Sequence, residues 1–118
     1  MPLPEYIAVY GTLRRGFRAE DLMKPCKLVG DTKIVGAMFD LGSFPGVKLD
    51  LKDHRFYAEV YKIPAKPAER AKLLERLDTY EGEGFLYIRR NIETKFGSTY
   101  IYEYKGDIVG REPFFKWA

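Results

Sequence analysis

A carboxylate near the end of a helical segment is the residue in this sequence best suited to proton transfer. Glu81 lies seven residues after Leu74 and four after Leu77, so a continuing helix places it on the apolar face. A carboxylate that faces the interior loses hydration, which raises its pKa and makes it a better proton acceptor near neutral pH. Glu81 could instead be a solvated residue just outside the helix, and Asp78 lies on roughly the same helical face. Periodicity by itself leaves these alternatives open.

A glycine turn near the N-terminus offers hydrogen-bond donors for an anion. Residues 6–10 predict a strand that breaks at Gly11 into a turn reaching Gly16. A glycine at a strand end lets another group approach the main chain closely. The backbone N–H groups that leave the strand have no ladder partner, so they can bind an anion, and two arginines, Arg14 and Arg15, follow. A strand followed by an ordinary basic turn has the same composition.

The elements that must position these groups are several strands and one helix. Residues 65–80 predict an amphipathic helix in which Pro67 suits the first turn and Ala71, Leu74 and Leu77 recur along one face. Gly82 is where such a helix would end. Extended segments are predicted at 6–10, 27–41 (with bends at Gly30 and Gly36), 47–51, 54–63, 85–94 and 98–104, with a helical turn at 19–23.

Length and composition predict one soluble domain over residues 1–118. Charged residues make up 31% and hydrophobic residues 46%, which is ordinary for a globular protein, and the 15% of aromatics favours strands. The single cysteine, Cys26, excludes an intramolecular disulfide, and with His54 as the single histidine the usual zinc-ligand sets are unavailable. We find no leader pattern and no long apolar run, so we expect a cytoplasmic protein without a membrane span.

Four short segments, in order along the chain, resemble the gamma-glutamylcyclotransferase-like superfamily, in the branch that includes the gamma-glutamylamine cyclotransferases. Residues 10–16, Tyr-Gly-Thr-Leu-Arg-Arg-Gly, resemble its opening signature, and residues 44–46 resemble its aromatic-Pro-Gly loop. Residues 77–82 are similar to its Leu-Asp-x-x-Glu-Gly motif, and Tyr87 and Arg89 have its Tyr-x-Arg spacing. The Gly-x-Trp pattern that often closes the family is not matched at the C-terminus.

The resemblance implies a fold and an activity. The fold is α+β, a compact and mostly antiparallel β-barrel of about six strands with one main helix packed outside. The activity is that of a cyclotransferase on a γ-glutamyl amine or amide, in which the free α-amine attacks its own γ-carbonyl to release 5-oxoproline and an amine. The implied partner is a small γ-glutamyl substrate, and neither a metal nor an organic cofactor is required.

The resemblance also implies roles for individual residues. Glu81 is the catalytic base, and the backbone N–H groups of Gly11, Thr12 and Leu13 are donors to the substrate carboxylate or the developing oxyanion. Tyr10, Phe44 and Tyr87 form the pocket wall, with the tyrosine hydroxyls adding polar contacts. 

Two other functions are compatible with the same residues. One is acyl chemistry that removes a γ-glutamyl group from a biosynthetic intermediate, at the same site but with a different leaving amine. The other is a non-catalytic binding module, including one for nucleic acid, that uses the basic cluster at residues 14–18. The net charge of +3 and pI near 8.9 are mild, and no nucleic-acid motif accompanies them.

Overall fold

Strands dominate the computed structural model of this chain, which describes residues 3–117. The α+β class predicted from the sequence is confirmed, since these residues form eight strands, one α-helix and one 3-10 turn. The elements are β1 (Tyr6–Val9), a 3-10 turn (Glu20–Met23), β2 (Lys27–Val35), β3 (Ala37–Asp40), β4 (Pro45–Lys48), β5 (Arg55–Lys62), α1 (Pro67–Glu81), β6 (Tyr87–Thr94), β7 (Gly97–Tyr104) and β8 (Pro113–Phe114).

The strands form two hydrogen-bonded sheets. A five-stranded sheet has the order β2-β5-β1-β7-β6, and a three-stranded sheet has the order β4-β3-β8. Strands β1 and β7 run parallel, whereas the other neighbours are antiparallel. The mostly antiparallel pairing that was predicted is therefore observed, but in the described residues the strands form two sheets in place of a single closed barrel of about six strands.

The two junctions between the sheets differ in structure. Between β2 and β3 the chain bends at Gly36, whose φ of 147° carries it out of the first sheet. Between β4 and β7, side chains take the place of a backbone ladder. There the Lys48 ammonium donates to the Tyr104 carbonyl, and the Leu49 N–H donates to the Glu103 carboxylate, both at 2.8 Å.

Two apolar layers hold the fold together, one on each face of the five-stranded sheet. The layer between the two sheets consists of Ala8, Tyr10, Ile34, Met38, Val47, Phe56, Ala58, Val60 and Ile101. The layer between the five-stranded sheet and α1 includes Ile7, Val9, Leu13, Met23, Tyr61, Ile63, Leu73, Leu77, Tyr87, Tyr100 and Tyr102. Strand β1 contributes alternate residues to both layers, and residues 10–14, which follow it, are buried.

The helix presents a narrower buried face than its sequence pattern predicts. Leu73 and Leu77, four residues apart, are buried, whereas Ala71 is exposed and Leu74 only partly buried. The face in contact with the sheet is therefore rotated from the predicted row of residues three apart. The helix begins at Pro67 and continues through Glu81, so Glu81 is its last residue.

The C-terminal segment packs against the body of the protein. Strand β8 pairs with β3, and the Tyr57 N–H donates to the Phe115 carbonyl at 2.8 Å. The Trp117 ring lies 5.3 Å from that of Phe17, between centroids. Residues 3–117 contain no helix that is both long and apolar enough to cross a membrane.

Candidate active site

A cavity of about 260 Å³ lies between the turn after β1 and the C-terminal end of α1. The seven site residues predicted from the sequence all line it, namely Tyr10, Gly11, Thr12, Leu13, Phe44, Glu81 and Tyr87. The structure adds seven residues that sequence reasoning missed, namely Ala8, Val9, Arg18, Pro45, Tyr80, Leu86 and Tyr102. Elements far apart in the chain therefore meet around one space.

Glu81 reaches this cavity because the helix ends directly after it. Gly82 adopts the left-handed conformation, with φ of 66°, and terminates α1. Within residues 3–117, no hydrogen bond or ion pair reaches the Glu81 carboxylate. Burial without a counter-charge raises the pKa of the Glu81 carboxyl to about 7. This carboxylate can therefore both accept and return a proton near neutral pH.

The turn after β1 presents backbone donors to the same cavity. The carbonyls of Gly11 and Thr12 are occupied, because the Arg14 N–H donates to the first and the Ala19 N–H to the second, both at 3.0 Å. The N–H groups of Gly11, Thr12 and Leu13 find no acceptor among the described residues. Consecutive N–H groups of this kind are suited to binding a carboxylate or an oxyanion.

Tyr10 and Tyr87 form part of the cavity wall, and each of their hydroxyls donates a hydrogen bond to a backbone carbonyl. The Tyr10 hydroxyl donates to the Tyr102 carbonyl at 2.7 Å, and the Tyr87 hydroxyl donates to the Pro45 carbonyl at 2.6 Å. Burial raises the pKa of both phenols, so they stay protonated and keep these bonds. Neither hydroxyl proton is therefore free to make the polar contact with a ligand that the sequence led us to expect. The Phe44 ring lies 6.4 Å from the Tyr87 ring.

Tyr80, which the sequence did not indicate as a site residue, connects two walls of the cavity. Its hydroxyl lies 2.6 Å from the Thr12 hydroxyl, which joins the helix end to the turn after β1. Tyr80 is 41% exposed and Leu86 is 49% exposed, so both lie at the mouth of the cavity. The sequence shows only that Tyr80 flanks the apolar face of a helix. A contact across 68 residues of chain has no local signal.

Asp78, the other carboxylate considered for the base, has a different environment from Glu81. Its two oxygens accept hydrogen bonds from one guanidinium nitrogen of Arg89, at 3.0 and 2.9 Å. The Tyr102 hydroxyl donates to it as well, at 2.6 Å. Asp78 accepts three hydrogen bonds and has a charge partner in Arg89, whereas Glu81 lines the cavity without a partner in the described residues.

The basic cluster at residues 14–18 does not form one exposed surface. Arg14 is only 3% exposed, lies against the rings of Phe17 and Tyr57, and donates to the Trp117 carbonyl. The Arg15 side chain pairs with Glu59 at 3.3 Å. The described residues contain no group of three or more His, Cys, Asp and Glu side chains that could hold a metal ion.

Replacing Gly11 by alanine should destabilise the fold as well as the site. A Cβ atom at this position would lie 2.7 Å from two ring carbons of Pro45, which also lines the cavity. Overpacking of this kind typically lowers stability by about 1–3 kcal/mol. We expect that loss in urea unfolding of Gly11→Ala.

A control for this substitution lies in the same turn. In Gly16→Ala the added methyl meets nothing within 4 Å, so only the strain of a φ of 84° remains, on the order of 1 kcal/mol. If Gly11→Ala were as stable as the wild type, the turn could move away from Pro45, and close packing would not explain the glycine.

Comparison with known sequences identifies the family. The family model described as gamma-glutamyl cyclotransferase, AIG2-like, matches residues 7–115. The gamma-glutamylcyclotransferase family protein YtfP of Escherichia coli K12 is 32% identical over 105 residues, which cover 88% of this chain and 86% of that protein. A Vibrio cholerae protein named provisionally as a gamma-glutamylcyclotransferase is 34% identical over 102 residues, which cover 84% of this chain and 81% of that protein. The chain belongs to the gamma-glutamyl cyclotransferase, AIG2-like, family, and these relatives support a cyclotransferase activity.

Solved structures agree with this assignment. The solution NMR structure of E. coli YtfP superposes with a TM-score of 0.69 at 28% identity, covering 94% of this chain and 92% of that one. The crystal structure of an AIG2-like protein from Mus musculus superposes with a TM-score of 0.78, and the match covers 97% of this chain and 88% of that one. Its identity is 18%, so this second likeness shows the fold alone.

Proposed function

We propose that this protein is a cyclotransferase of γ-glutamyl amines or amides that releases 5-oxoproline, with Glu81 as the general base. One observation carries the proposal: a partly buried carboxylate with no partner in residues 3–117 lines the same cavity as three residues whose N–H groups also lack one. The first group suits proton transfer, and the second suits an anion. A γ-glutamyl substrate needs both.

The proposed reaction is a ring closure within one substrate molecule. Glu81 accepts a proton from the α-ammonium group, and the resulting amine forms a bond to the γ-carbonyl carbon. The amide bond to the leaving group then breaks, and the protonated Glu81 returns its proton to the departing amine. The ring nitrogen gives up its second proton to solvent, and the released amine takes one up from solvent to leave as an ammonium ion, so protons and charge balance. No water is consumed. Because both reacting groups are in one molecule, the enzyme has mainly to hold the substrate in the attack geometry.

The cavity suggests how such a substrate lies. The N–H groups of Gly11, Thr12 and Leu13 bind either the α-carboxylate or the oxyanion that develops on the γ-carbonyl oxygen. The volume of about 260 Å³ is small for a ligand pocket, which suits a group of glutamyl size. The leaving amine then projects past Tyr80 and Leu86 at the mouth.

Product analysis tests the activity. Purified protein is incubated with γ-glutamyl amines, γ-glutamyl amino acids and γ-glutamyl lysine side-chain amides, and the products are measured by mass spectrometry. We expect equal amounts of 5-oxoproline and free amine from at least one class. Release of glutamate in place of 5-oxoproline would show hydrolytic removal of the γ-glutamyl group, and the absence of either product would contradict the proposal.

Binding of the product should involve the turn after β1. We expect 5-oxoproline to perturb the backbone amide resonances of Gly11, Thr12 and Leu13 in two-dimensional NMR spectra, because these N–H groups would donate to its carboxylate or carbonyl oxygen. Perturbations confined to the C-terminal segment or to the exposed face of α1 would place the ligand elsewhere.

A further inference from the structure

Arg89 holds the chain on both sides of Glu81. Its guanidinium binds the Asp78 carboxylate, three residues before Glu81, at 2.9 and 3.0 Å. Its backbone N–H donates to the Glu83 carboxylate, two residues after Glu81, at 3.2 Å. One residue of β6 therefore anchors the end of α1 on either side of the proposed base.

A second contact extends this anchor to the opposite side of the cavity. The Tyr102 hydroxyl donates to Asp78 at 2.6 Å, and the Tyr102 carbonyl accepts the Tyr10 hydroxyl at 2.7 Å. Tyr10 directly precedes the turn whose N–H groups line the cavity. A continuous chain of hydrogen bonds thus runs from Arg89 through Asp78 and Tyr102 to the start of that turn.

The position of Asp78 is unfavourable for the helix by itself. An acidic residue in the last turn lies at the negative end of the helix dipole, and the last turn of α1 contains no basic residue. Arg89, which comes from another element and stacks 4.9 Å from the centre of the Tyr100 ring, supplies the compensating charge. The unfavourable interaction of Asp78 with the helix dipole is therefore offset by an ion pair that links the end of α1 to β6.

The neighbouring ion pair between Arg90 and Glu103 differs from the Asp78–Arg89 pair in what it connects. Arg90, the next residue of β6, pairs with Glu103 of β7 at 3.0 Å, and its side chain is 51% exposed. That pair joins two strands that are already hydrogen-bonded to each other. The Asp78–Arg89 pair, by contrast, joins the helix end to the sheet, and its side chains are 31% and 27% exposed.

We propose that Asp78 and Arg89 are positioning residues that hold Glu81 at the distance from the substrate required for proton transfer. The inference rests on the proposed cyclotransferase function. Loss of either side chain frees the last turn of α1, so Glu81 samples positions in which it cannot reach the substrate amine. Substrate binding at the turn after β1 is left largely intact, because the Tyr10 hydroxyl bonds to the backbone carbonyl of Tyr102, which neither substitution removes.

Three variants test this proposal against a matched control. Misplacement of a catalytic group by 1 Å is worth on the order of 10²-fold in rate, so we expect Arg89→Met and Asp78→Asn to lower kcat by roughly 10–100-fold with KM nearly unchanged. The double variant should lose no more than either single one, because both substitutions break one interaction. Arg90→Met should leave both kinetic constants unchanged.

Amide hydrogen exchange provides a readout that does not need turnover. The Gly82 N–H bonds to the Thr79 carbonyl and the Glu83 N–H to the Asp78 carbonyl, at 3.3 and 2.9 Å. Both amides should exchange faster in Arg89→Met and Asp78→Asn, and at the wild-type rate in Arg90→Met. Arg89→Lys, which keeps the charge, should recover part of the protection.

The outcomes separate this inference from the proposed function. Faster exchange together with a lower kcat in the Asp78 and Arg89 variants alone supports the positioning role. Unchanged kcat despite faster exchange, or an equal loss in Arg90→Met, overturns it. If the wild type forms no 5-oxoproline, the proposed function fails. Faster exchange at Gly82 and Glu83 would then still support the anchoring of Glu81, and unchanged exchange would refute it.

Discussion

Glu81→Gln should lower kcat for 5-oxoproline release by about 10²–10⁴-fold, the usual contribution of general acid–base catalysis. Glutamine has nearly the same shape and can still form hydrogen bonds, so the helix end should keep its structure. It cannot accept a proton at neutral pH, so the substrate ammonium stays protonated and cannot attack the γ-carbonyl. Steady-state kinetics with a γ-glutamyl amine measures the effect.

The pH dependence of the wild type provides an internal check. The base must be ionised to act, and its pKa in the ligand-free protein is raised to about 7, so kcat/KM should fall as the pH drops through that value. This acidic limb should be missing from any activity that Glu81→Gln retains. Glu75→Gln, on the exposed side of the same helix, is the control and should behave like the wild type. Near-normal turnover by a folded Glu81→Gln would remove Glu81 from the mechanism.

The same substitution should make the protein more stable at alkaline pH. Burial raises the pKa of the Glu81 carboxyl from 4.5 to about 7, so its charged form is disfavoured in the folded state. By linkage this penalty is absent below the unfolded pKa, grows as the pH rises between the two values, and is complete above the folded one. Its size is up to about 3 kcal/mol, since each pKa unit corresponds to about 1.4 kcal/mol. Glutamine avoids this penalty because it carries no charge.

Thermal or urea unfolding at several pH values measures this difference. We expect Glu81→Gln and the wild type to be equally stable near pH 4 and to diverge up to about pH 7, with the variant more stable. Glu75→Gln should show no such divergence, because its side chain is exposed in the folded protein. A difference that is independent of pH would mean that desolvation of the carboxylate is not its cause. The test requires no substrate, so it is independent of the proposed reaction.

The sequence by itself indicated the helix end and the turn, because both depend on local chemistry. A period of 3.6 residues places Glu81 on the inner side of α1, and glycine at position 82 accepts the left-handed conformation that ends the helix. Gly11 after an apolar strand likewise indicates a turn with N–H groups lacking ladder partners. The order of the short motifs indicated the family, which the family model and the relatives confirm.

The tertiary structure decided which of two carboxylates on one helical face is paired. Asp78 and Glu81 have the same chemistry in the sequence, and the difference between them comes from Arg89 and Tyr102, which lie 11 and 24 residues from Asp78. The separation of the strands into two sheets also depends on side chains, such as Lys48, that replace a backbone ladder. Such contacts have no period and no local signal. They exist only because packing of the two apolar layers brings distant residues together.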